Sequence, residues 1–100
     1  MDTQIAFIEE HKLRTATEIA QASQALSRIG WNALFAPALT GPEGGPCAGV
    51  AVLARSHLGL RRPRVIVEGR ILAGELDLGH GARIAVASLY GFTGSVAWKR

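Results

Sequence analysis

The first place in this 100-residue sequence where chemically capable side chains stand together is Glu9-Glu10-His11, directly after the apolar run Gln4-Ile5-Ala6-Phe7-Ile8. A carboxylate at the mouth of a rigid strand suits a hard divalent cation. Mg²⁺ takes oxygen ligands, and one or two protein carboxylates suffice when water and a substrate phosphate fill the other positions. The same residues also read as a solvated strand end, and spacing alone does not decide between the two. A second cluster, Arg61-Arg62-Pro63-Arg64, carries guanidinium forks that match phosphate oxygens. No aromatic is interleaved with it, so base stacking is not indicated and the segment reads as a solvated loop. His11, His57 and His80 lack a partner at a definite spacing and read as solvated surface residues.

Two chemistries are excluded. The Gly- and Pro-rich stretch from Thr40 to Ala48 lacks the G-x-x-x-x-G-K-[ST] form of a nucleotide-binding loop. Cys47 is the single cysteine, so the chain makes neither an internal disulfide nor a Cys-based zinc site, and no His or Asp stands at a catalytic spacing from it. Cys47 therefore reads as structural, and a reducing, intracellular compartment, nuclear or cytoplasmic, is the expectation.

The elements that must position these residues follow from pattern. Gln4 to Ile8 predicts a short buried strand emerging at a polar edge. Thr15-Ala16-Thr17-Glu18 has the form of a capping box, and Ile19, Ala22, Leu26 and Ile29 repeat at helical period. A helix over Ala16 to Ile29 follows, stopped by Gly30, with Gln21, Gln24 and Arg28 toward solvent. Trp31 to Ala38 carries Pro37 and predicts an edge strand or one ending there. Leu39 to Ala48 reads as an irregular loop. Gly49 to Arg55 is a nearly continuous apolar run, which implies a strand buried on both faces. Val65 to Val67 is a weak strand flanked by arginines. Ile71 to Leu78 and Arg83 to Tyr90 make an antiparallel hairpin with a loop of three to five residues around Gly79-His80-Gly81. A strand, a helix and then a run of antiparallel strands predict the α+β class.

Composition bounds the rest. The chain is long enough for one core and one domain. Hydrophobic residues make up 48% and charged residues only 19%, so polar covering is scarce and apolar faces should expect a partner. The net charge of +3 is compatible with a phosphate-bearing partner without arguing nucleic-acid binding unaided. No apolar stretch reaches the ~20 residues of a membrane span, and the acidic amino terminus does not read as a signal peptide.

In segment order the chain resembles the endonuclease/exonuclease/phosphatase superfamily of metal-dependent phosphodiesterases, which includes apurinic and retroelement endonucleases. The resemblance is carried by Ile5-Ala6-Phe7-Ile8-Glu9-Glu10-His11, by the helix closed at Gly30-Trp31, and by the Gly-rich loop leading into Ala48-Gly49-Val50-Ala51-Val52-Leu53. Gly69-Arg70-Ile71-Leu72 and Ile84-Ala85-Val86-Ala87-Ser88-Leu89-Tyr90-Gly91 complete it. It spans nearly all of these residues but only the front third to half of the family's domain, so residues 1–100 are expected to form a partial αββα sandwich. The resemblance implies that Glu10 is a metal ligand for Mg²⁺ or Mn²⁺, and that the Tyr90 hydroxyl contacts a phosphate oxygen or the attacking water. Nucleic acid is the implied partner, and the family also contains lipid and inositol phosphate hydrolases, which these residues do not exclude.

Departures from the family pattern limit what the isolated chain is expected to do. Glu9 replaces the usual Gln. The upstream Asn, the later Asp-x-Asn and the terminal Ser-Asp-His have no counterpart in this sequence. The expectation is a phosphodiesterase domain that is inactive as it stands, because convergent groups at one phosphate are what make such catalysis fast. The alternative expectation is a non-catalytic module that binds a partner chain or self-associates through an exposed sheet face. No membrane is implied.

Overall fold

A computed structural model describes residues 3–89. Its single helix, α1 (Ala16–Arg28), begins where the capping box requires. Thr15 Oγ1 accepts the Glu18 N–H at 3.1 Å, and Glu18 Oε1 accepts the N–H groups of Thr15 and Arg14 at 3.0 Å each. These contacts, the Thr15 amide foremost, hold the Glu18 carboxyl below its ordinary pKa. Ile19, Ala22 and Leu26 are half-buried, and no residue of the helix is fully buried. Ile29, expected in the apolar stripe, is instead the C-cap and 66% exposed. Gly30 then turns the chain at φ 89°, a left-handed conformation natural to glycine.

Three strands form the first sheet, in the order β1 (Ile5–Glu9), β5 (Val50–Arg55), β2 (Trp31–Ala36), all antiparallel. β5 is central and buried from Val50 to Ala54, as its unbroken apolar run implies. β2 is an edge strand ending before Pro37. β1 departs from the expectation of a buried strand: among the described residues it pairs on one side only, and Phe7 is 52% exposed. A small ladder of β3 (Leu39–Thr40) with β4 (Pro46–Cys47) occupies the stretch expected to be irregular. Arg14 ties this ladder down, donating from Nη1 to Thr40 Oγ1 and to the Gly44 carbonyl.

The second three-stranded sheet runs β6 (Gly59–Val67), β7 (Ile71–Gly79), β8 (Ala82–Leu89), again antiparallel. The β7–β8 hairpin is the one anticipated, but with two linking residues rather than three to five. His80 at φ 53° and Gly81 at φ 78° make the paired left-handed turn that matches strand twist. β6 is longer than Val65 to Val67 and takes in the arginine cluster, which is therefore a strand and not a solvated loop.

Paired positions share a face, so Val50, Val52, Leu34 and Ala36 all point one way from the first sheet. They meet Leu72, Leu60 and Val86 of the second sheet to form the core. Gly74 permits this approach: a Cβ there would stand 2.7 Å from Leu34 Cδ1. The other face of the first sheet is left to α1, which packs along β2. One helix with mostly antiparallel sheets is the mixed α+β class. Among the described residues, no helix is long and apolar enough to cross a membrane.

Candidate active site

The chain leaves β1 through a tight corner. Glu9 pairs with Val50, the last ladder position, and is exposed. Glu10 follows at φ 59° and Lys12 at φ 64°, so two long side chains occupy the left-handed region that disfavours them by about 1–2 kcal/mol each. Backbone bonds hold the corner in place: the His11 N–H donates to the Gly49 carbonyl and the Lys12 N–H to the Ala48 carbonyl, both at 3.1 Å.

Between these two strained residues His11 faces inward, and the expectation of a solvated surface histidine is corrected here. Its Nε2 lies 3.0 Å from the Ala36 carbonyl, and its Nδ1 accepts the Leu13 N–H at 2.9 Å. With Nδ1 occupied as an acceptor, Nε2 carries the proton and donates to Ala36. The ring edge meets Phe35, centroids 5.4 Å apart and planes at 73°. Burial pushes the His11 pKa down, against the opposite pull of the Ala36 and Val50 backbone contacts. The imidazole thus serves as a strut rather than a proton donor or metal ligand. Glu10, directly after the end of β1, is exposed.

Opposite this corner, β8 approaches β1. Ser88, only 1% exposed, donates a long 3.5 Å hydrogen bond from Oγ to the Ile8 carbonyl. Residues two positions before each of Glu10 and Tyr90 are therefore in contact. Tyr90 itself lies outside the described residues. His57 and His80 are exposed, in the turn after β5 and in the hairpin turn. Cys47 is half-buried on β4 and forms no disulfide.

At the strand end the described residues offer an ion the exposed carboxylates of Glu10 and Glu9. Among the described residues no three of His, Cys, Asp and Glu gather as a protein-built ligand set would. Glu10 would hold a divalent ion alone or beside Glu9, leaving the remaining positions to water and phosphate, as Mg²⁺ tolerates. Bound there, the ion would supply charge neutralisation at a phosphate oxygen.

Sequence reasoning missed the imidazole strut and the arrangement of the arginines on β6. Pro63 within an arginine run was the available signal for the second, because Pro inside a strand marks an edge or a bulge. Both outer strands of the second sheet, β6 and β8, lack a further partner strand among the described residues. The sequence matches no protein-family model, no curated protein and no solved structure.

Proposed function

We propose that this chain is the front part of a metal-dependent phosphodiesterase domain of the endonuclease/exonuclease/phosphatase kind, with nucleic acid as substrate and with too few catalytic groups to turn over alone. In this reading the two contacting sheets and α1 are three layers of a partial αββα sandwich. Glu10 would hold Mg²⁺ or Mn²⁺, and Tyr90 would orient the phosphate. The observation that carries the reading is the 3.5 Å contact between Ser88 and Ile8, which draws the end of β8 to the strand that Glu10 directly follows. The left-handed backbone at Glu10 adds support, since strain of that kind collects at functional positions.

Mn²⁺ titration of the ¹⁵N-labelled chain tests this reading. Relaxation broadening should centre on amides 8–11 and 86–89 and disappear in Glu10→Gln. Broadening centred elsewhere, or unchanged by that substitution, would refute the site. Nuclease assays of the isolated chain should show no turnover.

A second reading, a non-catalytic module that binds a partner chain, is favoured by one specific observation. Phe7 shares a face with Val52, toward the core, yet is 52% exposed, and Ile84 and Leu89 of β8 are 44% and 42% exposed. An open edge with apolar side chains is a pairing surface. Sedimentation equilibrium tests its self-associating form: a strict monomer up to ~0.1 mM, well above the micromolar range of specific association, sinks pairing between copies of this chain.

A further inference from the structure

The outer face of the β6–β8 sheet, turned away from the core, carries a groove unrelated to the strand-end carboxylate. Strand alternation would send Arg61 and Arg64, three residues apart, to opposite faces. A bulge prevents this. Arg61 pairs with Glu75 and Arg64 with Ala73, so Arg62 and Pro63 together oppose Gly74 alone. Both arginines consequently fall on the face of Ala73 and Glu75, opposite to buried Leu72 and Leu76. Arg62, at the bulge, has φ 57°, a left-handed conformation that costs an arginine energy and re-aims its side chain. That face carries Arg61, Arg62, Arg64 and Arg83 against Glu75 and Asp77, an excess of positive charge.

The groove encloses about 360 Å³ between Arg62, Arg64 and Glu75, with Ala73, Gly74 and Ala85 as its floor. That volume suits a small ligand. Its polar groups are unequally occupied. Arg61 is paired with Asp77 at 2.6 Å, and Arg62 Nε stands 3.7 Å from Glu75 Oε1, too far for a hydrogen bond. Glu75 Oε1 is shut off from solvent and accepts no hydrogen bond. Among the described residues Arg64 enters neither ion pair. An anion-seeking guanidinium beside an acceptor that lacks a donor selects a ligand bearing both an anionic group and hydroxyl groups. The alanine floor gives it an apolar surface on which to lie.

We propose that this groove binds a phosphorylated sugar, the phosphate on the Arg64 guanidinium with Arg62 alongside and vicinal hydroxyls donating to Glu75. Guanidinium forks match phosphate oxygens, and a carboxylate that accepts sugar hydroxyls is a recurrent device for holding ribose. A free sugar phosphate, a mononucleotide and an RNA terminus share this chemistry. The proposal stands apart from the strand-end site, since the groove lies on the other face of the sheet from Ser88 and the core.

Titrating the ¹⁵N-labelled chain with ribose 5-phosphate, 2-deoxyribose 5-phosphate and inorganic phosphate tests it. Ribose 5-phosphate should give saturable shifts at the amides of Ala73, Glu75 and Ala85. Arg64→Ala should weaken it about 10- to 100-fold, the worth of one charge-assisted contact. Arg64→Lys, which keeps the charge and loses the fork, should fall between, and Arg28→Ala on α1 should change nothing. Glu75→Gln and removal of the 2-hydroxyl should each weaken sugar phosphate binding roughly tenfold, and Glu75→Gln should not weaken inorganic phosphate, since it removes a negative charge from the groove. A short RNA that binds more tightly than ribose 5-phosphate identifies a chain terminus as the source, and equal affinity identifies the free sugar phosphate. Thermal melts of each variant keep loss of binding distinct from loss of fold. Shifts that do not saturate, that persist in folded Arg64→Ala, or that are equal for the deoxy sugar overturn the proposal.

Discussion

Replacing His11, alone and together with Gly49, tests whether the corner after β1 is built around an imidazole. Truncation to alanine strands the Ala36 carbonyl and the Leu13 N–H and leaves a void against Phe35. Each buried polar group left unpaired costs about 1–3 kcal/mol, less where water reaches it, so His11→Ala should cost about 2–4 kcal/mol in all. Gly49 is the other half of the contact. A Cβ placed there would stand 2.5 Å from His11 Cε1 and 2.8 Å from Nδ1, on a backbone at φ 92°. Gly49→Ala therefore carries two penalties in the native chain, eviction of the ring and about 1–2 kcal/mol of backbone strain, but only the strain when His11 is already alanine. Urea unfolding of the four proteins in the cycle should show coupling of more than about 1 kcal/mol, and additivity within ~0.5 kcal/mol would refute the strut. The pH dependence gives a second check. Because burial disfavours the charged ring, the folded state holds the His11 pKa below the ~6.5 of free histidine, and the neutral ring is the form whose Nδ1 accepts the Leu13 N–H. As pH falls through 6.5 the unfolded chain binds the proton first. Stability is then complete above that pH and declines below it, by at most about 1.4 kcal/mol per unit, until the folded ring also protonates. His11→Gln should remove this decline. Parallel loss in both proteins between pH 7.5 and 5 would show that another group is responsible.

Three further substitutions probe other parts of the argument. Gly74→Ala forces the Leu34 side chain to move from a Cβ 2.7 Å away and should cost about 1–3 kcal/mol in urea, whereas a neutral result would mean the two sheets are not in contact there. Thr15→Ala removes the acceptor of the Glu18 N–H and should cost about 0.5–2 kcal/mol, read as a lower melting midpoint in circular dichroism. Leu72→Ala empties a position with no solvent exposure and should cost about 2–5 kcal/mol, measured in the same way; a cost under 1 kcal/mol would place Leu72 outside the core.

The legible parts of the fold were those with local physical causes. The capping box at Thr15, the unbroken apolar run of β5 and the alternation of β7 each depend on neighbours a few residues away, and each appears where the sequence places it. The arginines hid β6, because four polar or Pro residues in a row mask alternation and only the pairing partner β7 reveals the bulge. The short β3–β4 ladder depends on Arg14, far along the chain, which no local pattern announces. His11 illustrates the same limit for the site. Its neighbours in sequence are charged, but its partners Phe35 and Ala36 on β2 and Gly49 before β5 come from two other segments. Glu10 was legible as an exposed strand-end carboxylate; its left-handed backbone was not, since no local pattern announces it.

The placement of β5 at the centre of its sheet also governs the order in which the molecule assembles. The β7–β8 hairpin and α1 close short loops, on timescales of microseconds, whereas Ile5 must find Ala54 and Glu9 must find Val50 across most of the first half of the chain. On a ribosome, the opening segment therefore emerges well before β5, its ladder partner among the described residues, has been synthesised. Closing that long loop costs more chain entropy than forming either local element, and until it closes the Phe7–Ile8 segment is open to capture by chaperones or by wrong strands.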